Sequence, residues 1–494
     1  MTTHFGPDTL TLHEATQALT TGALSAQELT ASYIHRIEAL DHHVNAVIAL
    51  DPRAMDQARQ CDQQRRNGVA LGALHGVPLL IKDNIDVAGG LATTAGSLAL
   101  AGTKASADAS VISRLRRAGA IVLGKTNLSE WANFRSTRSS TGWSSVGGQT
   151  GNAFDPNRSP GGSSSGSGVA VAMGFCTAAL GTETDGSVVI PSSMNSLAGI
   201  KPSIGLVSRT GIVPIAHSQD TAGPMTRTVA DAALLLSVMI GYDEHDPASV
   251  ERADIATALE SLPENALRGA RVGIDRTLSG RHPAVDAIVD VGVTALRDAG
   301  AEVIDGLALD AHEAVATDEH LVLLTEFKAD LEAYLATRDA GTSIRTLGQL
   351  IEFNNQNADQ VMPYFGQELF LEAQTCGGLD DADYLAARAR SLTTAGQDGI
   401  DILLQKHQLD ALFGATVGPP WSIDLINGDH RSPCWSTPAA VAGYPHVTVP
   451  GGFVHGLPVG VSFVGARFND ARMAAFAHAF ESQTQFRRAP EWPI

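Results

Sequence analysis

Serines in two glycine-rich turns are the residues of this 494-residue chain with the clearest potential for chemistry. The first turn, residues 161–168, reads GGSSSGSG, and the second is Asp185-Gly186-Ser187. Glycine lets the backbone approach a ligand closely. The first turn could be a plain flexible linker, but the apolar residues 169–180 that follow it predict a helix and a strand packed in a core. The turns therefore suit a serine nucleophile and a cradle of backbone N–H groups.

A lysine lies at the end of an apolar run upstream of the two serine turns. A serine hydroxyl is a poor nucleophile near neutral pH unless an adjacent acceptor takes its proton. Residues 76–84 read GVPLLIKDN, which predicts a buried strand ending at Lys82. Burial disfavours the ammonium form and lowers the pKa of a fully buried lysine by up to about 3–5 units. Lys82 could instead serve a purely structural role, in an ion pair with Asp83 or Asp86.

These three segments resemble the signature of the amidase signature family, and the motifs are most similar to its peptide amidase and aryl acylamidase branch. The strand ending at Lys82, the GGSSSGSG turn and the run GTETDGSVVIP follow in the family's order, and Ser163 lies 24 residues before Ser187. The resemblance implies a Ser–cis-Ser–Lys triad, with Ser187 as the nucleophile, Ser163 as the bridging serine and Lys82 as the base. It covers most of the chain and is densest over residues 76–231.

The resemblance also implies an oxyanion hole and shows two departures from the family pattern. The hole is predicted from the backbone N–H groups of Thr184, Asp185, Gly186 and Ser187. The family commonly has glycine at position 185, and an arginine where Val188 and Val189 follow the nucleophile. Substrate contacts are predicted at Gly161, Gly162, Trp143 and Trp421, where the two tryptophans could equally fill a core or lie in a surface loop.

The expected reaction is hydrolysis of a carbon–nitrogen bond through an acyl-enzyme on Ser187. Carboxamides, anilides and related small molecules would release ammonia or an amine. Two alternatives remain: a carbamate (urethane) hydrolase or esterase on the same triad, and an amidotransferase-type subunit that needs a partner. We expect no cofactor and no metal, although Asp83, Asn84 and Asp86 form a polar cluster that could hold a metal and is better suited to orienting Lys82 or binding water.

A Ser-His-Asp triad is the main competing mechanism, because the chain has 16 histidines. The GxSxG elbow of α/β-hydrolases is missing around Ser187, whose surroundings read DGSVV. His446 and His455 lie among predicted strands and turns, which indicates structural roles. The sequence therefore favours the lysine relay over a histidine base.

The composition of the chain limits the kinds of partner and the compartment that we expect for it. A net charge of −19 without a basic run argues against nucleic acid. The four cysteines are widely spaced, which argues against disulfides and zinc. The opening residues lack a signal-peptide pattern and no stretch of about 20 apolar residues occurs, so we expect a cytoplasmic monomer or homodimer without a membrane span.

The elements that must position these residues predict an α/β fold. Helix–strand alternation after residue 71 indicates parallel strands. We expect one domain over residues 1–494, with a mixed, largely parallel central sheet between helical layers and helical additions over the cleft. Its parts are N-terminal helices (1–70), with caps at Thr11 and at Ser25 with Glu28, the signature core (71–240), a variable substrate-entrance part (241–430), and C-terminal strands with a closing helix (431–494).

Overall fold

An eleven-stranded sheet runs through the computed structural model, which describes residues 9–338 and 342–492. The prediction that the opening residues are not a signal peptide concerns a segment of which residues 1–8 lie outside the described part. The strands are β1 (Val47–Leu50), β2 (Pro78–Lys82), β3 (Ile121–Thr126), β6 (Ala178–Glu183), β7 (Ala198–Lys201), β8 (Thr221–Thr226), β9 (Arg271–Asp275), β10 (Glu302–Leu307), β11 (Ala411–Ala415), β12 (His446–Val454) and β13 (Leu457–Val464), while β4 (Trp143–Ser144) and β5 (Gly148–Gln149) form a separate ribbon.

Helices cover the sheet and extend beyond it. They are α1 (Leu12–Thr21), α2 (Ala26–Leu40), α3 (Ala54–Arg66), α4 (Ser110–Arg117), α5 (Ser165–Ala172), α6 (Val189–Met194), α7 (Val229–Met239), α8 (Ala253–Leu259), α9 (Pro283–Asp298), α10 (Ala311–Ala336), α11 (Leu347–Gln356), α12 (Ala358–Val361), α13 (Glu368–Thr375), α14 (Ala382–Leu392), α15 (Ile402–Lys406), α16 (Thr437–Ala442) and α17 (Asp470–Thr484). A π-helical stretch, Thr393–Asp401, joins α14 to α15.

The strand order is β1-β3-β2-β6-β8-β7-β12-β13-β11-β9-β10. The expected mixed sheet is confirmed, but its parallel share is smaller than expected: four neighbouring pairs are parallel and six are antiparallel. The parallel pairs lie where helical crossovers link the strands, as between β2 and β3. The middle strands β7, β8, β12 and β13 connect through loops and a hairpin, which permit antiparallel pairing.

Local sequence signals account for the N-terminal helices. Thr11 caps α1 and Ser25 caps α2, and each forms the reciprocal capping box with a glutamate three residues later. The carboxylate of Asp231 then accepts hydrogen bonds from the backbone N–H groups of Leu12 and His13 at 3.1 and 2.9 Å. These bonds fasten α1 to α7 and so to the sheet.

The apolar core has two main parts. The larger cluster packs both faces of the sheet and includes the fully buried β2 residues Leu79, Leu80 and Ile81. A second cluster joins Trp131 and Phe134 to Phe327 and Phe370 of the α10–α13 region. This second cluster places the helical additions beside the segment that follows β3. Within the described residues, no helix is long and apolar enough to cross a membrane.

Candidate active site

Lys82 lies at the carboxyl end of β2, between the parallel strands β3 and β6. All five residues of β2 are buried, and Lys82 itself is 0% exposed. Its Nζ lies 2.9 Å from Ser163 Oγ, 3.2 Å from the carbonyl oxygen of Thr182 and 2.8 Å from Thr182 Oγ1. Neutral oxygens therefore form the immediate hydrogen-bond shell of this lysine.

Burial lowers the pKa of Lys82 to about 7, although the nearby carboxyl groups of Asp220 and Glu183 act in the opposite direction. The predicted alternative, an ion pair with Asp83 or Asp86, is not what the structure shows. Asp83 Oδ1 lies 2.8 Å from Lys125 Nζ, and Asp86 Oδ1 lies 2.7 Å from Arg338 Nη1. Both carboxylates thus pair with other cations, and Lys82 pairs with neither of them.

Ser163 connects this lysine to Ser187. The peptide bond between Gly162 and Ser163 is cis. Ser163 Oγ lies 2.8 Å from Ser187 Oγ as well as 2.9 Å from Lys82 Nζ. The N-cap position of α5 belongs to Ser164, without a side-chain capping bond. Ser163 is therefore free of a capping role and spans the two groups.

The glycines before Ser163 are packed against protein. Gly161 has φ +70°, and a Cβ there would lie 2.8 Å from Pro191 Cα. A Cβ on Gly162 would lie 2.6 Å from Ser129 Oγ. A side chain at either position would displace neighbouring atoms, so close packing of the turn already requires both glycines. Their predicted contact with substrate stays a prediction.

The turn that carries Ser187 is fixed from inside. Gly186 has φ +78°, in the left-handed region that favours glycine, and a Cβ there would lie 2.4 Å from Ile190 Cδ1. Glu183 Oε2 accepts hydrogen bonds from the backbone N–H groups of Val188 and Val189 at 2.7 and 3.0 Å. Ser187 is 7% exposed. The hydroxyl therefore sits on a constrained turn at the start of α6.

The two departures from the family pattern have different surroundings. Asp185 Oδ2 accepts a hydrogen bond from Thr437 Oγ1 at 2.7 Å, which ties the turn to the first residue of α16. Val188, which follows the nucleophile where the family pattern commonly has an arginine, is fully buried. An aliphatic side chain there brings no positive charge to the neighbourhood of the nucleophile.

Three residues of this site were not singled out from the sequence. Thr182 contacts Lys82, Glu183 holds the nucleophile turn, and Asp220 Oδ1 accepts a hydrogen bond from Thr184 Oγ1 at 2.5 Å. Burial raises the pKa of Asp220 to about 7. Thr182 and Glu183 belong to the same GTETDGS run as Ser187, so their position next to the nucleophile was the available signal; Asp220 has no such signal.

The two tryptophans that are predicted to contact the substrate have distinct positions. Trp143 is buried, with its ring centroid 5.2 Å from that of Phe365 and 5.6 Å from the guanidinium carbon of Arg135. The carbonyl oxygen of Trp421 accepts a hydrogen bond from Ser159 N at 2.7 Å, directly before the Gly-Ser turn. Trp143 therefore belongs to an aromatic packing cluster, while Trp421 borders the segment that leads to Ser163.

The histidines and cysteines named from the sequence lie in structural surroundings. His446 is fully buried, with its ring 5.9 Å from that of Trp435, and His455 is in the turn between β12 and β13 with φ +50°. The hydroxyl of Ser187 bonds to Ser163 and not to an imidazole. All four cysteines are free.

A cavity of about 530 Å³ borders Asp220 and is lined among others by Asp86, Tyr334 and Arg338, but by none of Lys82, Ser163 and Ser187. Among the described residues, one group could bring three ligand atoms around a metal ion: His217, Glu326 and Asp330. Its atoms already pair with one another, since His217 Nδ1 lies 2.9 Å from Asp330 Oδ2 and 3.1 Å from its Oδ1. This group is also separate from the predicted Asp83–Asn84–Asp86 cluster.

Comparison with known proteins identifies the family of this chain. The amidase family model matches residues 28–473, and the chain belongs to that family. The structure of native peptide amidase from Stenotrophomonas maltophilia is 45% identical, with a TM-score of 0.94 over 98% of this chain and 99% of that one. A relative from Arabidopsis thaliana named as a probable amidase is 38% identical over 98% of this chain and 91% of its own. A glutamyl-tRNA(Gln) amidotransferase subunit from Chloroflexus aurantiacus is 34% identical over 97% of both chains. The chain is thus a hydrolase of the amidase family that acts on carbon–nitrogen bonds.

Proposed function

We propose that this amidase hydrolyses small carboxamides through an acyl-enzyme on Ser187, with Ser163 and Lys82 as the proton relay. The observation that supports it most directly is the unbroken contact from Ser187 Oγ to Ser163 Oγ, 2.8 Å, and on to Lys82 Nζ, 2.9 Å. The buried lysine, whose pKa is lowered to about 7, is the group able to accept the proton.

Proton transfer would run along this chain in both directions. As Ser187 Oγ attacks the substrate carbonyl carbon, its proton passes to Ser163 and the Ser163 proton passes to neutral Lys82. Collapse of the tetrahedral intermediate breaks the C–N bond, and the relay returns the proton to the departing nitrogen. Water then attacks the ester on Ser187 by the same route, which releases the acid and restores the hydroxyl.

The oxyanion that forms during both steps needs donors beside Ser187. We assign this role to the backbone N–H groups predicted from the sequence, those of Thr184, Asp185, Gly186 and Ser187. Support comes from the constrained turn, in which the left-handed Gly186 and the bonds to Glu183 hold the backbone before substrate arrives. Preorganised donors of this kind typically contribute about 10²–10³ in rate for each donor.

For the substrate we favour carboxamides over carbamates, anilides and esters. The support is the similarity to the peptide amidase from Stenotrophomonas maltophilia. The valine at position 188 brings no cation for a substrate carboxylate, which disfavours acidic substrates but does not separate these four uncharged classes.

Ser187→Ala tests the nucleophile, and Ser167→Ala is the matched control. Ser167 is a buried serine of the same Gly-Ser segment whose Oγ donates to the carbonyl oxygen of Leu180 at 2.9 Å, away from the relay. We expect Ser187→Ala to lose at least about 10⁴-fold in kcat on a peptide carboxamide, and Ser167→Ala to keep most activity. Full turnover by Ser187→Ala would disprove the mechanism.

Substrate class is best tested by competition in one reaction followed by mass spectrometry. The mixture contains a peptide carboxamide, an acyl anilide, an aryl carbamate and an ester with matched acyl groups, and Ser187→Ala serves as the blank. We expect the carboxamide to disappear first. Faster loss of the anilide or carbamate would instead indicate an aryl-amide or urethane hydrolase.

The same assay addresses the amidotransferase-type alternative. The isolated chain should be active without any added subunit. Gel filtration of the active fraction would then give the oligomeric state, which we predict to be a monomer or a homodimer. An isolated chain that is folded yet inactive on all four substrates would favour the partner-dependent alternative.

A further inference from the structure

Two residues that each have an unpartnered polar atom line one small cavity next to the lysine site. Asn84 and Trp131, which are 3% and 2% exposed, both line a cavity of about 10 Å³ whose other walls are mostly apolar. The carbonyl oxygen of the Asn84 side chain and the indole N–H of Trp131 are buried without a hydrogen-bond partner among the described residues. One atom accepts and the other donates, and a space of this size accommodates about one water molecule.

The other end of the Asn84 side chain leads to Lys82. Asn84 Nδ2 donates to Thr182 Oγ1 at 2.9 Å, and the same hydroxyl oxygen lies 2.8 Å from Lys82 Nζ. An unbroken path of contacts therefore runs from the cavity through Asn84 and Thr182 to the lysine. Two residues before Asn84, the chain leaves β2 at Lys82 itself, so the two side chains share one strand end.

We propose that Asn84 is a positioning residue for the base: it holds the Thr182 hydroxyl against Lys82 Nζ, and its own carbonyl is held by one water molecule that also accepts the Trp131 N–H. This inference rests on the proposed role of Lys82. A neutral amide at this position anchors Thr182 without adding charge beside the lysine. A carboxylate would anchor it too, but it would stabilise the ammonium form and weaken the base.

The position therefore tolerates an amide better than an acid of the same shape. Charged groups near Lys82 are Asp220 and Glu183, whose carboxyl groups already favour its ammonium form. Burial raises the pKa of Asp220 to about 7 and raises the pKa of Glu183 as well. A carboxyl group at position 84, whose side chain contacts Thr182, would add to that effect.

The test measures kcat, KM and their pH dependence for Asn84→Ala and Asn84→Asp on the best carboxamide substrate. We expect Asn84→Ala to lower kcat about tenfold, the loss expected for one hydrogen bond, with KM nearly unchanged. Asn84→Asp should move the acidic limb of the kcat/KM profile upward by about one pH unit. Wild-type kcat and an unmoved limb in both variants would overturn the proposal, as would an effect confined to KM.

Thr182 provides the coupling test. Thr182→Ser keeps the hydroxyl and should retain activity, whereas Thr182→Val should lose about as much kcat as Asn84→Ala. Because Asn84 acts through this hydroxyl, the Asn84→Ala/Thr182→Val double variant should be no slower than the slower single variant. Fully multiplicative losses would show that Asn84 acts by another route and would overturn the proposal.

Asn354→Ala is the matched structural control. Asn354 is also fully buried with an unpartnered carbonyl oxygen, and its Nδ2 donates to Gln367 Oε1 at 2.9 Å within the α11 region. Its substitution should lower thermal stability without moving the pH profile. A profile shift equal to that of Asn84→Asp would mean that the readout follows general loosening, which contradicts a positioning role.

Trp131→Phe tests the water. It removes the N–H and keeps an aromatic ring, so we expect a smaller loss of kcat than in Asn84→Ala. A high-resolution crystal structure of the unaltered enzyme should show one water molecule within hydrogen-bond distance of both the Asn84 and the Trp131 side chains. A dry cavity would overturn the proposal. Failure of the relay itself is distinguishable, because Ser187→Ala and Lys82→Met would then retain activity.

Discussion

The carboxyl ends of β2 and β3 lie side by side, and each strand carries a fully buried lysine in this region. Lys125, on β3, has the Asp83 carboxylate at 2.8 Å. Lys82, on β2, has hydroxyl and carbonyl oxygens at hydrogen-bond distance instead. The two lysines are equally buried but differ in their partners: Lys125 has a carboxylate at hydrogen-bond distance, and Lys82 has only neutral oxygens there.

The largest expected effect is a loss of kcat on substitution of Lys82. Lys82→Met should lower kcat by at least about 10³-fold, because it removes the acceptor of the relay. The fold should survive, since Thr182 Oγ1 keeps its bond from Asn84 and Ser163 keeps its contact with Ser187. Steady-state kinetics with a thermal melt checks both statements. A Lys82→Met enzyme with wild-type kcat would show that Lys82 is not the proton acceptor.

The second prediction concerns stability at β3. Lys125→Met leaves the Asp83 carboxylate buried without its cation, and breaking such a pair costs about 3–5 kcal/mol. Denaturant unfolding should show this loss, in contrast to a change within about 1 kcal/mol for Lys82→Met. The double variant Asp83→Asn/Lys125→Met should recover part of the stability. Equal destabilisation by both single lysine variants would contradict the contrast between them.

The third prediction is the pH dependence. Lys82 acts as a base only when neutral, and its pKa lies at about 7. The neutral fraction therefore falls as pH drops through that value, and kcat/KM should decrease about tenfold per pH unit below it. A pH–rate profile between pH 5 and about 9, with an independent stability check at each end, measures this. A flat profile down to pH 5 would mean that Lys82 is not the base.

The smallest expected effect concerns Thr93, a hydrogen-bond partner of Lys125. Thr93 Oγ1 accepts a long hydrogen bond from Lys125 Nζ, at 3.3 Å. Thr93→Val should cost about 1 kcal/mol of unfolding free energy and leave kcat unchanged, because the carboxylate dominates that site. A clear loss of kcat on this substitution would show that the two strand ends act together.

Much of the site could be predicted from the sequence because its parts are local. Strand β2 is a continuous apolar run that ends at a lysine, and the two serine turns are fixed by glycines whose neighbours leave no room for a side chain. The capping boxes at Thr11 and Ser25 depend on residues three positions apart. Signals of this kind are complete within a few residues.

The partners of Asp83 and Asp86 could not be predicted in the same way. Lys125 and Arg338 lie 42 and 252 residues farther along the chain, and they pair with these carboxylates only once β2, β3 and α10 are packed. Asp220, which bonds Thr184, is likewise 36 residues away from it. The antiparallel middle of the sheet was missed for a related reason, since strand direction there depends on loops that carry no helical pattern.

The sequence by itself determined the chemical groups, their order and the fold class: a lysine at a strand end, two serine turns and alternating helices and strands. Tertiary structure decided which carboxylates pair with which cations, and therefore which of two neighbouring buried lysines has a carboxylate at hydrogen-bond distance. The physical reason is that hydrogen-bond patterns and helix caps act over a few residues, whereas the pKa of a buried group depends on every charge packed around it, however distant in the chain.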